Sequence, residues 1–192
     1  MAGKSRKRVG VLALQGDFEA HRKALDRAGA DPVEVRSASQ LANLDGLIIP
    51  GGESSTMLKL INEEHLLEPL REFGQTRPVF GTCAGAILLA SRVSNPAQES
   101  LSLMDIDVER NGYGRQVDSR IARLKVSDHD LEAVFIRAPI IKRVGSEARV
   151  LAEYDGNPVL VEQGRHLVST FHPELTDDPS VHRMFLEKIE CQ

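Results

Sequence analysis

The chain has 192 residues, 41% of them hydrophobic and 27% charged, with a formal net charge of −4. That length buries a sizeable core without staples, and the composition excludes a disordered chain. Dispersed basic residues on a mildly acidic chain give no footprint for nucleic acid, and no apolar stretch approaches the ~18 residues of a membrane span.

The basic run KSRKR (Lys4 to Arg8) opens the chain, and residues 1–8 are expected to form a disordered basic tail. The apolar segment behind it, VGVLAL (Val9 to Leu14), is too short for the core of a signal peptide but has strand length, and its unbroken apolar character predicts a strand buried on both faces. Asp17 to Gly29 has an acidic start, later basic residues and a terminal glycine, which predicts a helix. VEVR (Val33 to Arg36) and GLIIP (Gly46 to Pro50) read as strands. Helical patterns follow at Ser55 to Asn62 and His65 to Phe73, then PVFG (Pro78 to Gly81) and another helix. Strands alternating with helices predict a mostly parallel central sheet with right-handed crossovers.

The second half changes character. From Asp105 to Phe171 strand-like pieces alternate with short turns, two of them predicted as hairpins at Asp155-Gly156 and Gln163-Gly164. The last helix is expected to have Asp178 as N-cap, Pro179 at its first position, and Val181, Met184, Phe185 and Ile189 on one apolar face. No repeat or linker interrupts the pattern, so residues 9–192 read as one α/β domain. Cys83 and Cys191 are the only cysteines and fit a reducing, cytoplasmic setting better than a disulfide.

Gly81-Thr82-Cys83-Ala84-Gly85 has the G-x-nucleophile-x-G form of a strand-to-helix elbow, with sulfur as the nucleophile. Small neighbours permit the sharp turn, the helix N-terminus favours a thiolate, and the Ala84 N–H is placed to hold an oxyanion. A cysteine merely packed at a tight helix start would look the same. In STFHPEL (Ser169 to Leu175), residues two apart in extended chain face the same way, so the Glu174 carboxylate can orient the His172 ring. A plain surface turn is the competing reading, and no partner stands at metal-ligand spacing from His172. In IIPGGESSTM (Ile48 to Met57) two glycines let the backbone approach a bound group, while Ser54 or Ser55 would cap the next helix under any function.

Together, and in this order, these three segments resemble the class I glutamine amidotransferases, whose glutaminase domains carry a Gly-Gly oxyanion strand, a cysteine elbow and a His-x-Glu. GVLALQGDFEAH, VERNGYGRQVDS, VFIRAPII and STFHPELTDD are similar to the branch of that family that serves pyridoxal 5′-phosphate synthases, with RNGYGRQVDS and FIRAP as the discriminating stretches. The resemblance covers nearly the whole chain from Val9. It implies a flavodoxin-like α/β fold and a glutaminase that needs no cofactor or metal. Cys83 would be the nucleophile, His172 the general base and acid, and Glu174 its orienter. Gly51, Gly52, Glu53, Arg110, Ile136 and Arg137 would bind L-glutamine, with Gly52 and Ala84 holding the oxyanion. It also implies a hetero-oligomeric complex with a synthase subunit that receives the ammonia and builds the cofactor. LQGDFEAH (Leu14 to His21) is a candidate for sensing that partner, because Gln15 and Gly16 end the first strand at the edge where parallel sheets bind ligands.

Apart from the resemblance, Arg110 and Arg137 would pass as strand-edge surface charges. Three other readings stand beside this one: a glutaminase serving another synthase, such as one of histidine or anthranilate biosynthesis; a cysteine-elbow peptidase or deglycase; and a docking subunit whose chemistry has decayed.

Overall fold

Strands covered on both faces are buried almost throughout, and four such strands lie side by side at the centre of this computed structural model, which describes residues 6–112, 119–126 and 129–191. The first half of the chain supplies β1 (Arg8–Leu12), α1 (Phe18–Ala28), β2 (Asp31–Val35), β3 (Gly46–Ile49), α2 (Ser54–Glu63), α3 (Leu67–Thr76), β4 (Val79–Thr82) and α4 (Ala84–Leu89). The second half supplies β5 (Ala90–Ser94), β6 (Met104–Glu109), β7 (Arg120–Val126), β8 (His129–Phe135), β9 (Ile140–Val144), β10 (Arg149–Tyr154), β11 (Asn157–Gln163), β12 (His166–Ser169) and α5 (Ser180–Glu190).

The central sheet has seven strands in the order β10-β11-β12-β4-β3-β1-β2. Pairing is parallel from β12 to β2 and antiparallel for β10-β11-β12, so the expected mostly parallel sheet is present. Two smaller sheets, β5-β6-β9 and the β7-β8 hairpin, take up the turn-rich second half. Successive side chains of the central strands enter opposite layers. Leu47, Ile49, Val79 and Val168 join the core shared with α2, α3, α4 and the three-stranded sheet. Ile48, Phe80 and Leu167 join the core shared with α1, α5 and the β7-β8 hairpin. Among the described residues no helix is long and apolar enough to cross a membrane.

Several boundaries differ from expectation for local reasons. Arg8 already pairs with Asp31 in the β1-β2 ladder. Arg6 donates to the Asp26 carboxylate at 2.9 Å; residues 1–5 of the expected tail lie outside the described residues. The helix after Cys83 stops at Leu89, and Ala90 begins a strand that pairs with β6. The Asp155-Gly156 hairpin turn forms with φ of 49° and 74°, the left-handed pair such a turn requires. The second hairpin turns one residue later than expected, at Gly164-Arg165. Asp178 accepts from the Ser180 N–H at 2.9 Å, as a capping carboxylate does, although the helix proper starts only at Ser180.

Candidate active site

In a parallel sheet a crevice opens where the strand order reverses. Here the chain runs from β1 outward to β2 and then returns to β3 on the other side of β1. The segments leaving β1, β3, β4 and β12 at their C-terminal ends all carry residues singled out above. Gln15 to Asp17 follow β1, Gly51 to Glu53 follow β3, Cys83 follows β4 and His172 follows β12.

Cys83 occupies a sharp elbow, with φ 48° and ψ −101°. A side chain at such an angle costs about 1–3 kcal/mol, which the surroundings must impose. They do so by close contact: a Cβ on Gly85 would overlap the Ile49 carbonyl oxygen, and one on Gly81 would meet the Gly85 backbone. The Cys83 N–H donates to Ser169 O at 2.8 Å, one step beyond the Thr82–Ser169 register pair. This bond fixes Cys83 against the strand that leads to His172. The His172 N–H donates to Val134 O at 2.8 Å, which ties the same turn to β8.

His172 Nδ1 and Glu174 Oε1 are 2.7 Å apart and nearly solvent-free, and the ring also hydrogen-bonds Cys83. Burial opposes a charge on His172, but the bonds to Cys83 and Glu174 and their negative charges outweigh it, holding the imidazole proton up to about 10. Burial likewise opposes ionisation of Glu174. The neighbouring His21 and His172 imidazoles overcome it and bring the carboxyl down to about 2. The arrangement is that of a cysteine beside an imidazole that a buried carboxylate orients.

The glycines after β3 sit directly against this pair. A Cβ on Gly51 would overlap His172 Cε1 and stand 3.0 Å from Nδ1 and 3.4 Å from the Cys83 Cβ. Gly52 adopts φ 151°, and a Cβ there would overlap Gln15 Oε1. The turn is anchored from β1's side: Gly51 O accepts from Asp17 N–H at 3.3 Å, and Gln15 Oε1 accepts from Glu53 N–H at 3.1 Å. Gly51→Ala should therefore push the imidazole out of line. We expect kcat to fall about a hundredfold, the usual cost of an ångström-scale misplacement, which steady-state turnover will read.

The remaining candidates divide. Ile136, 38% exposed, brings its carbonyl to 4.0 Å from Cys83 Sγ, and Arg137 beside it stands in the left-handed region at φ 45° with its side chain exposed. The Arg137 guanidinium has no hydrogen bond or ion pair among the described residues, which leaves it available to a ligand carboxylate. Arg110 is instead engaged, donating to Ser55 Oγ at 2.5 Å and to Glu53 Oε1 at 3.2 Å. Glu53, not Ser54 or Ser55, caps α2, accepting from the Ser55 and Thr56 N–H groups at 3.0 and 2.7 Å. Partial burial resists its charge, but these bonds hold its carboxyl near 2. Ser54 bonds Gln98. Residues 113–118 of the discriminating stretch RNGYGRQVDS lie outside the described residues. Both cysteines are free.

One ligand-type cluster occurs among the described residues: donor atoms of Asp17, His172 and Glu174 lie within 4.8 Å of one another. His172 Nδ1 and Glu174 Oε1 already engage each other at 2.7 Å, so the pair reads better as proton-handling. Sequence reasoning missed His21 and His182, both fully buried beside this cluster. The signal was present: with Ala24 and Leu25, His21 lies on the buried stripe of α1, and with Val181 and Phe185, His182 lies on that of α5.

A parallel α/β sheet with a strained cysteine, an imidazole and a carboxylate assembled at its switch-point edge defines a class of cysteine-dependent acyl-transfer enzymes. The model of the SNO glutamine amidotransferase family matches residues 11–191. The chain belongs to that family. It is 62% identical to the pyridoxal 5′-phosphate synthase subunit PdxT of Solibacter usitatus, across 95% of this chain and 100% of that protein. It is 55% identical to the PdxT subunit of Koribacter versatilis, across 95% of each. A crystal structure of a glutamine amidotransferase superposes with a TM-score of 0.90 at 47% identity, covering 95% of this chain and 98% of that one.

Proposed function

We propose that this chain is the glutaminase subunit of a pyridoxal 5′-phosphate synthase, hydrolysing L-glutamine and passing ammonia to a synthase subunit. The observation that carries the reading is the buried Cys83–His172–Glu174 line in a chain of the SNO glutamine amidotransferase family. The Cys83 thiolate attacks the side-chain amide carbon. The oxyanion that forms is held by backbone N–H groups, those of Ala84 and Gly52 being the candidates. The His172 imidazolium gives its proton to the departing nitrogen, which leaves as ammonia, and a glutamyl thioester remains on Cys83. Neutral His172 then takes a proton from water as the water attacks the thioester. Glutamate leaves, and the thiolate–imidazolium pair is regenerated.

Arg137 supplies a two-pronged partner for the glutamine α-carboxylate. Arg110 acts on the substrate through the Glu53 cap it braces. Gln15 and Asp17 hold the Gly51-Gly52 turn from the sheet edge, and a partner docking on that loop would reset the oxyanion donors. The test is glutamate release from glutamine by the purified chain, alone and with the synthase subunit. Turnover is expected to rise several-fold or more on mixing, with a glutamyl adduct on the Cys83 peptide by rapid-quench mass spectrometry. Turnover unaffected by a synthase subunit that binds would end the coupled reading, and no turnover in the complex would end the glutaminase reading.

A further inference from the structure

We propose that His21 is a positioning residue for Glu174, presenting its Nε2–H to the carboxylate oxygen that His172 leaves unused. The inference rests on the triad proposed above. Glu174 Oε1 is taken by His172, whereas Oε2 has no hydrogen bond among the described residues. The His21 Nε2 stands 3.3 Å from Oε2, and both side chains are completely excluded from solvent. A buried carboxylate oxygen with no donor is costly, and a slight turn of the carboxylate toward His21 supplies one.

The tautomer follows from the surroundings. His21 Nε2 also lies 3.1 Å from Thr82 Oγ1, and its Nδ1 lies 3.0 Å from His182 Nε2. If His21 were an imidazolium, both its nitrogens would donate. His182 Nε2 would then have to accept, leaving a buried Nδ1–H on His182 with no acceptor among the described residues. With His21 neutral and protonated on Nε2, His182 donates to Nδ1 and only an acceptor lone pair without a donor is left on its far side. Burial favours the neutral form, and His172 does so too; Glu174 and Asp17 oppose it. His182 on α5 feels His21, Glu174 and Arg27 in turn. Phe80 packs edge-on against both rings, at 6.4 Å from His21 and 6.1 Å from His182, which limits their rotation. Thr82 immediately precedes the nucleophile, so the same imidazole touches the strand that presents Cys83 and the turn that presents Glu174.

Two measurements test this. Nitrogen-15 histidine spectra of the unmodified chain at pH 7 should show His21 as the neutral Nε2–H form; an Nδ1–H form or an imidazolium overturns the proposal. In the complex with the synthase subunit, His21→Leu should lower kcat for glutamate release about ten- to hundredfold with KM within about twofold, the scale of one lost hydrogen bond to a charge. The acid limb of kcat should move to higher pH, because the carboxylate then loses a donor that favours its ionised form. His21→Gln, which returns an N–H near the Nε2 position, should recover most of the loss and restore the limb. Equal losses in both variants with an unmoved limb would reduce His21 to core packing. If the leucine variant does not fold, the glutamine variant and the tautomer decide. An inactive unmodified complex would count against the glutaminase reading, whereas the spectra test His21 regardless.

Discussion

Cys83→Ala should lower kcat for glutamate release by at least about 10⁴-fold, because nothing else in the site can carry the acyl group. The same position offers a second readout that does not depend on activity. At φ 48° a Cβ is strained, and alanine keeps that strain while glycine releases it. Both variants vacate the same buried space except for one methyl group. Cys83→Gly is therefore expected to be more stable than Cys83→Ala by about 1 kcal/mol in denaturant unfolding, reversing the usual preference for alanine at a helix start. If alanine proves as stable as glycine, the elbow is not strained and the nucleophile is presented by some other means.

Glu174→Gln is expected to cost about 10⁴-fold in kcat with little change in KM, as the equivalent change does in a serine triad. The amide can offer an N–H to His172 Nδ1, which forces the ring proton to Nε2 and removes the acceptor that faces the thiol. This substitution also separates stability from catalysis through pH. The Glu174 carboxyl is brought from 4.5 to about 2 in the folded chain. A group whose folded value is depressed stabilises the fold fully above its unfolded value, and that contribution drains away as pH falls from about 4.5 towards 2. The unmodified chain should thus lose stability across that window more steeply than Glu174→Gln. Parallel curves would mean that the carboxylate has no special stabilisation in the fold.

The residues that carry the proposed chemistry were legible because each belongs to a short segment whose backbone needs dictate its sequence. An elbow needs small residues around Cys83, and a close approach needs Gly51 and Gly52. His172 and Glu174 do meet, but across a 3₁₀ turn at Pro173–Leu175 and not along the extended chain expected from the sequence. The central sheet was legible because VGVLAL, GLII and PVF are apolar at every position, as only a doubly covered strand is. What was hidden depended on contacts distant in sequence. Which group caps α2 was decided by Arg110 bracing Glu53 from fifty-odd positions away, so the serines gave way to the glutamate. Division of the second half into a three-stranded sheet and a separate hairpin depends on pairings such as Ile106 with Val144, which no local turn signal specifies. His21 and His182 were readable only as polar interruptions of apolar stripes, and that pattern does not name their partners.

Anchoring is uneven across the crevice. Cys83 is held by a rung of the parallel ladder to Ser169, in the middle of the sheet, and releasing its amide requires taking β4 from β12. The facing Glu53 amide is held by a single side-chain oxygen from Gln15 at the exposed rim. Amide exchange at Cys83 is thereby tied to opening of the whole fold, and exchange at Glu53 to a motion no larger than one rotamer change. The crevice thus joins firmly held and lightly held backbone, so that its rim can be adjusted while Cys83 stays locked in the sheet.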